Sequence, residues 1–111
     1  MLPPPDEIAA IRVARALADP TRFRLLRAIA ARAEISCQEL TTLFPLAQAT
    51  VSHHLRVLSE AGLVAVRAEG TFHRFRVIPA ALAAHARALR ALAAGEHRSP
   101  RRRSVAGGGR R

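Results

Sequence analysis

The chain predicts a mainly α domain with one small β-hairpin, ordered as four helices, two strands and a closing helix. Two observations lead there. A short helix opened by Ser36-Cys37-Gln38-Glu39 is cut at Pro45, and a second helical run follows in which Val51, Leu55 and Leu58 recur at i, i+4 and i+7. From Leu63 the spacing becomes strand-like through Ala68, breaks at a turn over Glu69-Gly70, and resumes from Thr71 to Ile78. A helix, a turn, a helix and then a basic hairpin make the element order of a winged helix-turn-helix.

Each element has a local cause. Residues 1–5 form a stiff proline-rich lead, and Asp6 is placed to cap a first helix in which Ile8, Ile11 and Leu17 mark the apolar side. Asp19-Pro20 restarts the chain as a helix, because Asp accepts from orphan amides and Pro fits the first helical position. Phe23, Leu26 and Ile29 are expected to face inward. Ser36 and Glu39 make a capping box for the third helix, which Pro45 ends after Phe44. The fourth runs from Ala47 to Leu58 and stops at Gly62. Pro79 opens the last helix, where Leu82, Ala86, Leu89 and Ala93 repeat at helical spacing beside His85 and Leu92, and Gly95 closes it. Residues 6–97 therefore form the folded domain. Residues 98–111, rich in Arg and Gly, cannot bury enough apolar surface to order themselves.

Charge narrows the partners. All 18 basic residues are arginine, and six of them lie after His97, so residues 1–97 hold 12 arginines against 8 acids, a balance of +4. Arginine forks onto phosphate oxygens, which suits double-stranded DNA better than a generic acidic partner. A membrane is the weaker reading, because no apolar run approaches the roughly 20 residues of a spanning helix and the N-terminus lacks a signal-peptide pattern. A cytoplasmic protein is expected. Cys37 is the only cysteine, so no disulfide forms within the chain. The sequence has no glycine-rich phosphate loop, no His-Glu-x-x-His and no paired carboxylates in an apolar run, so neither an enzyme nor a cofactor is expected.

At about 100° per residue, the helix after Pro45 turns Gln48, Ala49, Ser52, His53 and Arg56 away from its apolar stripe. Gln48 can pair with adenine edges, Ser52 with phosphate or base, and His53 with a guanine acceptor, while Arg56 suits phosphate. His54 falls nearer the core. On the hairpin, Arg67 and Arg74 are the favoured backbone or minor-groove contacts, with His73 and Arg76 evenly balanced against an ordinary charged surface. Cys37 reads as a small buried residue or as a thiol sensor activated by its helix start. His85 and His97 do not share a helical face, so only a site between two subunits would unite them on a metal. Two other functions fit the composition, namely a winged helix that binds a protein partner and a sequence-tolerant DNA binder driven by the arginine tail.

Three stretches carry a family resemblance. Leu17-Ala18-Asp19-Pro20-Thr21-Arg22, Thr50-Val51-Ser52-His53-His54-Leu55 and Ala61-Gly62-Leu63-Val64, with Gly70, Phe75 and Val77 in the hairpin, resemble the ArsR/SmtB winged-helix repressors over roughly Ala14 to Leu92. The resemblance implies a homodimer built on the first and last helices, an imperfect palindromic operator, and release by a metal or another signal. It also adds Thr50 to the DNA-binding set. Two departures stand out. The second helix of the motif begins Ala47-Gln48-Ala49 where many members have Ser-Gln-Ser, which removes a capping hydroxyl. The positions aligned with the family's metal ligands hold Ser36 and Gln38 in one site and Pro79, Ala81, Leu92 and Gly95 in the other, so no metal site is expected there.

Overall fold

A computed structural model describes residues 3–95. Its elements are α1 (Pro5–Leu17), α2 (Pro20–Ala30), β1 (Ile35–Ser36), α3 (Cys37–Leu43), α4 (Gln48–Glu60), β2 (Val64–Glu69), β3 (Phe72–Val77) and α5 (Pro79–Ala93). The three strands form one antiparallel sheet in the order β1-β3-β2, with Val66 opposite Phe75 and Ile35 on the other side of Phe75. This is the winged helix-turn-helix expected from the sequence, with α3 and α4 as the motif and β2-β3 as the wing. His97 and the arginine tail lie outside the described residues.

The local signals act as expected in the middle of the chain. The Asp19 carboxylate accepts from the Arg22 amide at 2.9 Å and caps α2, with Pro20 at the first helical position. Ser36 Oγ accepts from the Glu39 amide at 3.1 Å while Glu39 accepts from the Ser36 amide at 2.8 Å, closing the capping box of α3. Gly62, at φ +79°, takes the left-handed turn that lets Leu63 N donate back to Leu58 O.

Five details differ. Pro4 occupies the N-cap of α1, so Asp6 sits in the first turn, where its charge still complements the helix dipole. The buried face of α1 is Val13 and Ala16, whereas Ile8 and Ile11 are 36% and 43% exposed, because only the C-terminal half of α1 reaches the core. In α2 the inward residues are Leu25, Leu26 and Ile29. Phe23 is 47% exposed, since successive three-residue steps fall short of a full turn by about 60° each and carry it off the face centred on Ile29. β1, only two residues long, has too little alternation to be read from sequence. The turn also moves by one residue, for Glu69 pairs with Phe72 and leaves Gly70-Thr71 as the loop.

The core joins every helix of the motif to the sheet. Leu25, Ile29, Ile35, Leu40, Val51, Leu55, Leu58 and Leu63 are essentially sealed from solvent. Beside them, the Arg22 side chain ties three helices together. Its Nε donates to Ala16 O at 2.8 Å, Nη2 to Arg15 O at 3.3 Å and Nη1 to His54 Nδ1 at 3.3 Å. A guanidinium only donates, so His54 must present Nδ1 as acceptor and carry its proton on Nε2. Burial lowers the pKa of His54, the charges of Arg22 and His53 act the same way, and Asp19 opposes them.

Three measurements check these assignments. Ser36→Ala should cost about 1 kcal/mol in urea unfolding through loss of the cap. Gly62→Ala should cost about 1 to 2 kcal/mol, a conformational penalty alone, since no atom stands within 4 Å of the added methyl. Because His54 has a depressed pKa in the fold, the unfolded chain takes up its proton first as pH falls below the ordinary value of 6.5. Stability from this residue is therefore present above that pH and lost as pH drops through the folded pKa. His54→Gln should flatten the pH dependence of the urea midpoint as pH falls below the ordinary value of 6.5.

Candidate nucleic-acid interface

α4 separates its chemistry by face. Val51, Leu55 and Leu58 are buried, and Gln48, Ala49, Ser52, His53 and Arg56 stand exposed on the opposite side. Thr50 is exposed as well, toward the flank that carries His54. Ala47 precedes the helix in extended conformation without a side-chain cap, in line with the missing hydroxyl noted in the sequence. Thr50 N and Val51 N both donate to Ala47 O, at 3.0 and 3.1 Å, so the backbone alone starts this helix.

Two contacts orient the ridge. Arg56 Nη2 lies 3.2 Å from His53 Nδ1, and since arginine donates, the His53 ring is left with Nε2–H to offer outward. Ser52 Oγ lies 3.5 Å from Cys37 Sγ at the start of α3. Ser52 therefore leans toward α3 rather than standing straight out. Cys37 itself is half-buried and packs against the core, the place of a small apolar residue, while its sulfur faces that hydroxyl.

The wing splits its charges by the period-2 rule. Phe75 and Val77 pack toward the core, so His73 shares their face, whereas Arg67, Arg74 and Arg76 lie on the outer face. Arg67 is held by both oxygens of Glu34, at 2.7 and 3.0 Å, with Glu69 at 3.7 Å. Arg74 donates to Glu69 at 2.9 Å and meets Glu39 at 3.4 Å. These partners set the titration of the acids. Hydrogen bonds from Arg67 and Arg74 hold Glu34 and Glu69 below the usual carboxylate range, and the Ser36 amide does the same for Glu39. The pKa of Arg67 is raised, chiefly by its hydrogen bond to Glu34. Both wing arginines singled out in the sequence are thus engaged with carboxylates. Among the described residues, Arg76 and His73 make no ion pair.

Between ridge and wing lies a groove of about 570 Å³, lined by Gln48, Ser52 and Arg56 on one wall and by Val66, Phe72 and His73 on the other. His73 is, with Arg76, one of the two residues that sequence reasoning left undecided. Only the strand register shows that it faces α4 while its neighbour Arg74 does not. Among the described residues, no group of three His, Cys, Asp or Glu side chains gathers where a metal ion could sit. No helix there is long and apolar enough to cross a membrane.

Known proteins share this arrangement. Residues 17–67 match the helix-turn-helix domain family. An uncharacterized HTH-type transcriptional regulator of Methanocaldococcus jannaschii is 32% identical over 69 residues, which span 62% of this chain and 78% of that protein. An ArsR-like transcriptional regulator from Rhodococcus sp. RHA1 superposes with a TM-score of 0.74 at 29% identity, over 80% of this chain and 83% of the other. A homodimeric winged helix-turn-helix DNA-binding domain from Mycobacterium bovis, described as a possible ArsR-family transcriptional regulator, does so with a TM-score of 0.65 at 28% identity, over 89% and 94%. A possible transcriptional regulator for arsenical resistance is 36% identical and superposes with a TM-score of 0.61 over 86% of this chain and 95% of the other, so that with its helix-turn-helix and its wing the chain belongs to the ArsR family of winged helix-turn-helix transcriptional regulators.

Proposed function

We propose that the protein is a cytoplasmic, homodimeric repressor that reads an inverted-repeat DNA operator with α4 and leaves it in response to a signal. The observation that carries the reading is the α4 ridge, which holds Gln48, Ser52, His53 and Arg56 exposed and holds no acid between Gln48 and Ser59. Such a ridge has the width and donor pattern for a major groove. Gln48, Ser52 and His53 read base edges, Thr50 supports them from the flank, and Arg56 grips phosphate. Arg67 and Arg74 reach the DNA backbone only by exchanging a carboxylate for a phosphate.

Dimerisation has a physical motive. Ile8, Ile11, Leu89 and Leu92 on α1 and α5 expose apolar surface, Leu92 to 76%, and a second copy is the partner that the M. bovis relative suggests. Two α4 helices then enter major grooves about 34 Å apart. A second reading, for the signal, rests on the Cys37 thiol beside Ser52. Peroxide would convert Cys37 to a sulfenic acid and water, and the added oxygen would push Ser52 from its place.

Footprinting on the DNA upstream of the gene tests the whole. A protected inverted repeat is expected, and the Ser52→Ala, His53→Ala double variant should lower the ratio of operator to random-duplex affinity by about 10- to 100-fold. Equal loss on both duplexes would refute the reading role, and absent protection would favour a protein partner. Removing residues 98–111 should flatten the salt dependence of binding without changing the preferred sequence. Cys37→Ser should keep its operator under peroxide while the parent loses it.

A further inference from the structure

The flank of α4 away from the wing holds a second concavity. It measures about 440 Å³ and lies between α1 and α4, with Ala16, Val57 and Ala61 as an apolar floor and Arg12, Arg15 and Arg22 around it. Glu60 is the acid among its lining residues. Among the described residues, no carboxylate stands within 4 Å of any of the three guanidinium groups. The wing is the opposite case, for there each arginine that was singled out has found its glutamates.

Arg22 is the informative member. Its hydrogen bonds to Ala16 O, Arg15 O and His54 Nδ1 fix the plane of the group, yet all three acceptors are neutral. A guanidinium offers five N–H donors, so two remain on a cation that is already immobilised and half-buried, with no carboxylate in contact and Asp19 acting on it only through space. Such a group binds an anion without further loss of side-chain freedom, and Arg12 and Arg15, one turn apart on α1, are placed to close on the same ligand. The volume is that of a small-molecule site.

We infer that the groove between α1 and α4 is a binding site for a small organic phosphate, whose charge Arg12, Arg15 and Arg22 receive and whose apolar body lies on Ala16, Val57 and Ala61. The site lies beside the helix proposed to read DNA, and its occupant would share Arg22 with His54. The anion site itself does not depend on the DNA reading.

The full-length protein, labelled with nitrogen-15, is titrated with inorganic pyrophosphate at constant ionic strength and followed by NMR. Saturable shifts are expected at the amides of residues 12–16 and 57–61. The exposed pair Arg12→Gln and Arg15→Gln should weaken the apparent affinity at least about tenfold, as loss of two charge-assisted partners requires. Glu60→Gln should tighten it, because the acid repels the ligand. Shifts that never saturate, that spread over the wing, or that survive the double Gln variant unchanged would overturn the proposal. A parallel titration with random duplex separates the other source of phosphate. If the duplex moves the same amides and the Gln variant weakens duplex binding as much as it weakens pyrophosphate, the groove is a DNA-backbone contact and the small-molecule assignment fails.

Discussion

One guanidinium sets the relation of the helices that matter. Arg22 stands where the C-terminus of α1, the N-terminus of α2 and the flank of α4 converge, and it donates to Ala16 O and adds a second donor to Arg15 O, which already accepts from Ala18 N. A cation there also complements the negative end of the α1 dipole. Through His54 the same group holds α4 against α1 and α2, so the direction of the exposed ridge depends on it. The arrangement requires His54 to stay neutral, which burial favours. It leaves the arginine itself without a counter-ion in contact, and that is why the neighbouring groove keeps a positive edge.

The two parts proposed to face DNA balance their charges differently. On the wing, Glu34, Glu39 and Glu69 compensate Arg67 and Arg74, and each pair is exposed enough to be worth little on its own. Their value is positional. Glu39 both closes the cap of α3 and meets Arg74, so the hairpin and the start of the helix-turn-helix share one carboxylate. On α4 the reverse holds, for the ridge from Gln48 to Ser59 contains no acid and its one arginine is oriented by a histidine instead. A polyanion approaching the molecule meets uncompensated donors on α4, whereas Arg67 and Arg74 on the wing are already paired.

Much of the fold was legible because its signals are local. Asp19-Pro20, the Ser36–Glu39 box, Pro45, Gly62 and Pro79 each mark a boundary through the hydrogen bonding of their own few residues. The 3.6-residue period of α4 was enough to part its buried stripe from its ridge, because the helix lies over the core along its length. The same reasoning failed on α1 and on Phe23. Apolar residues there mark no single face, and only packing decides which of them is covered.

What the sequence determined by itself is therefore the order of the elements, the helix-turn-helix and the set of polar residues on α4, since these follow from capping, proline geometry and periodicity. What only the tertiary structure decided is where those groups meet. Contacts such as Arg67 with Glu34, Arg22 with His54, and Cys37 with Ser52 join residues 33, 32 and 15 positions apart, distances over which no local rule acts. The strand register then turned His73 toward α4 and Arg74 away from it, a distinction that one residue in a period-2 pattern decides and that composition cannot reveal.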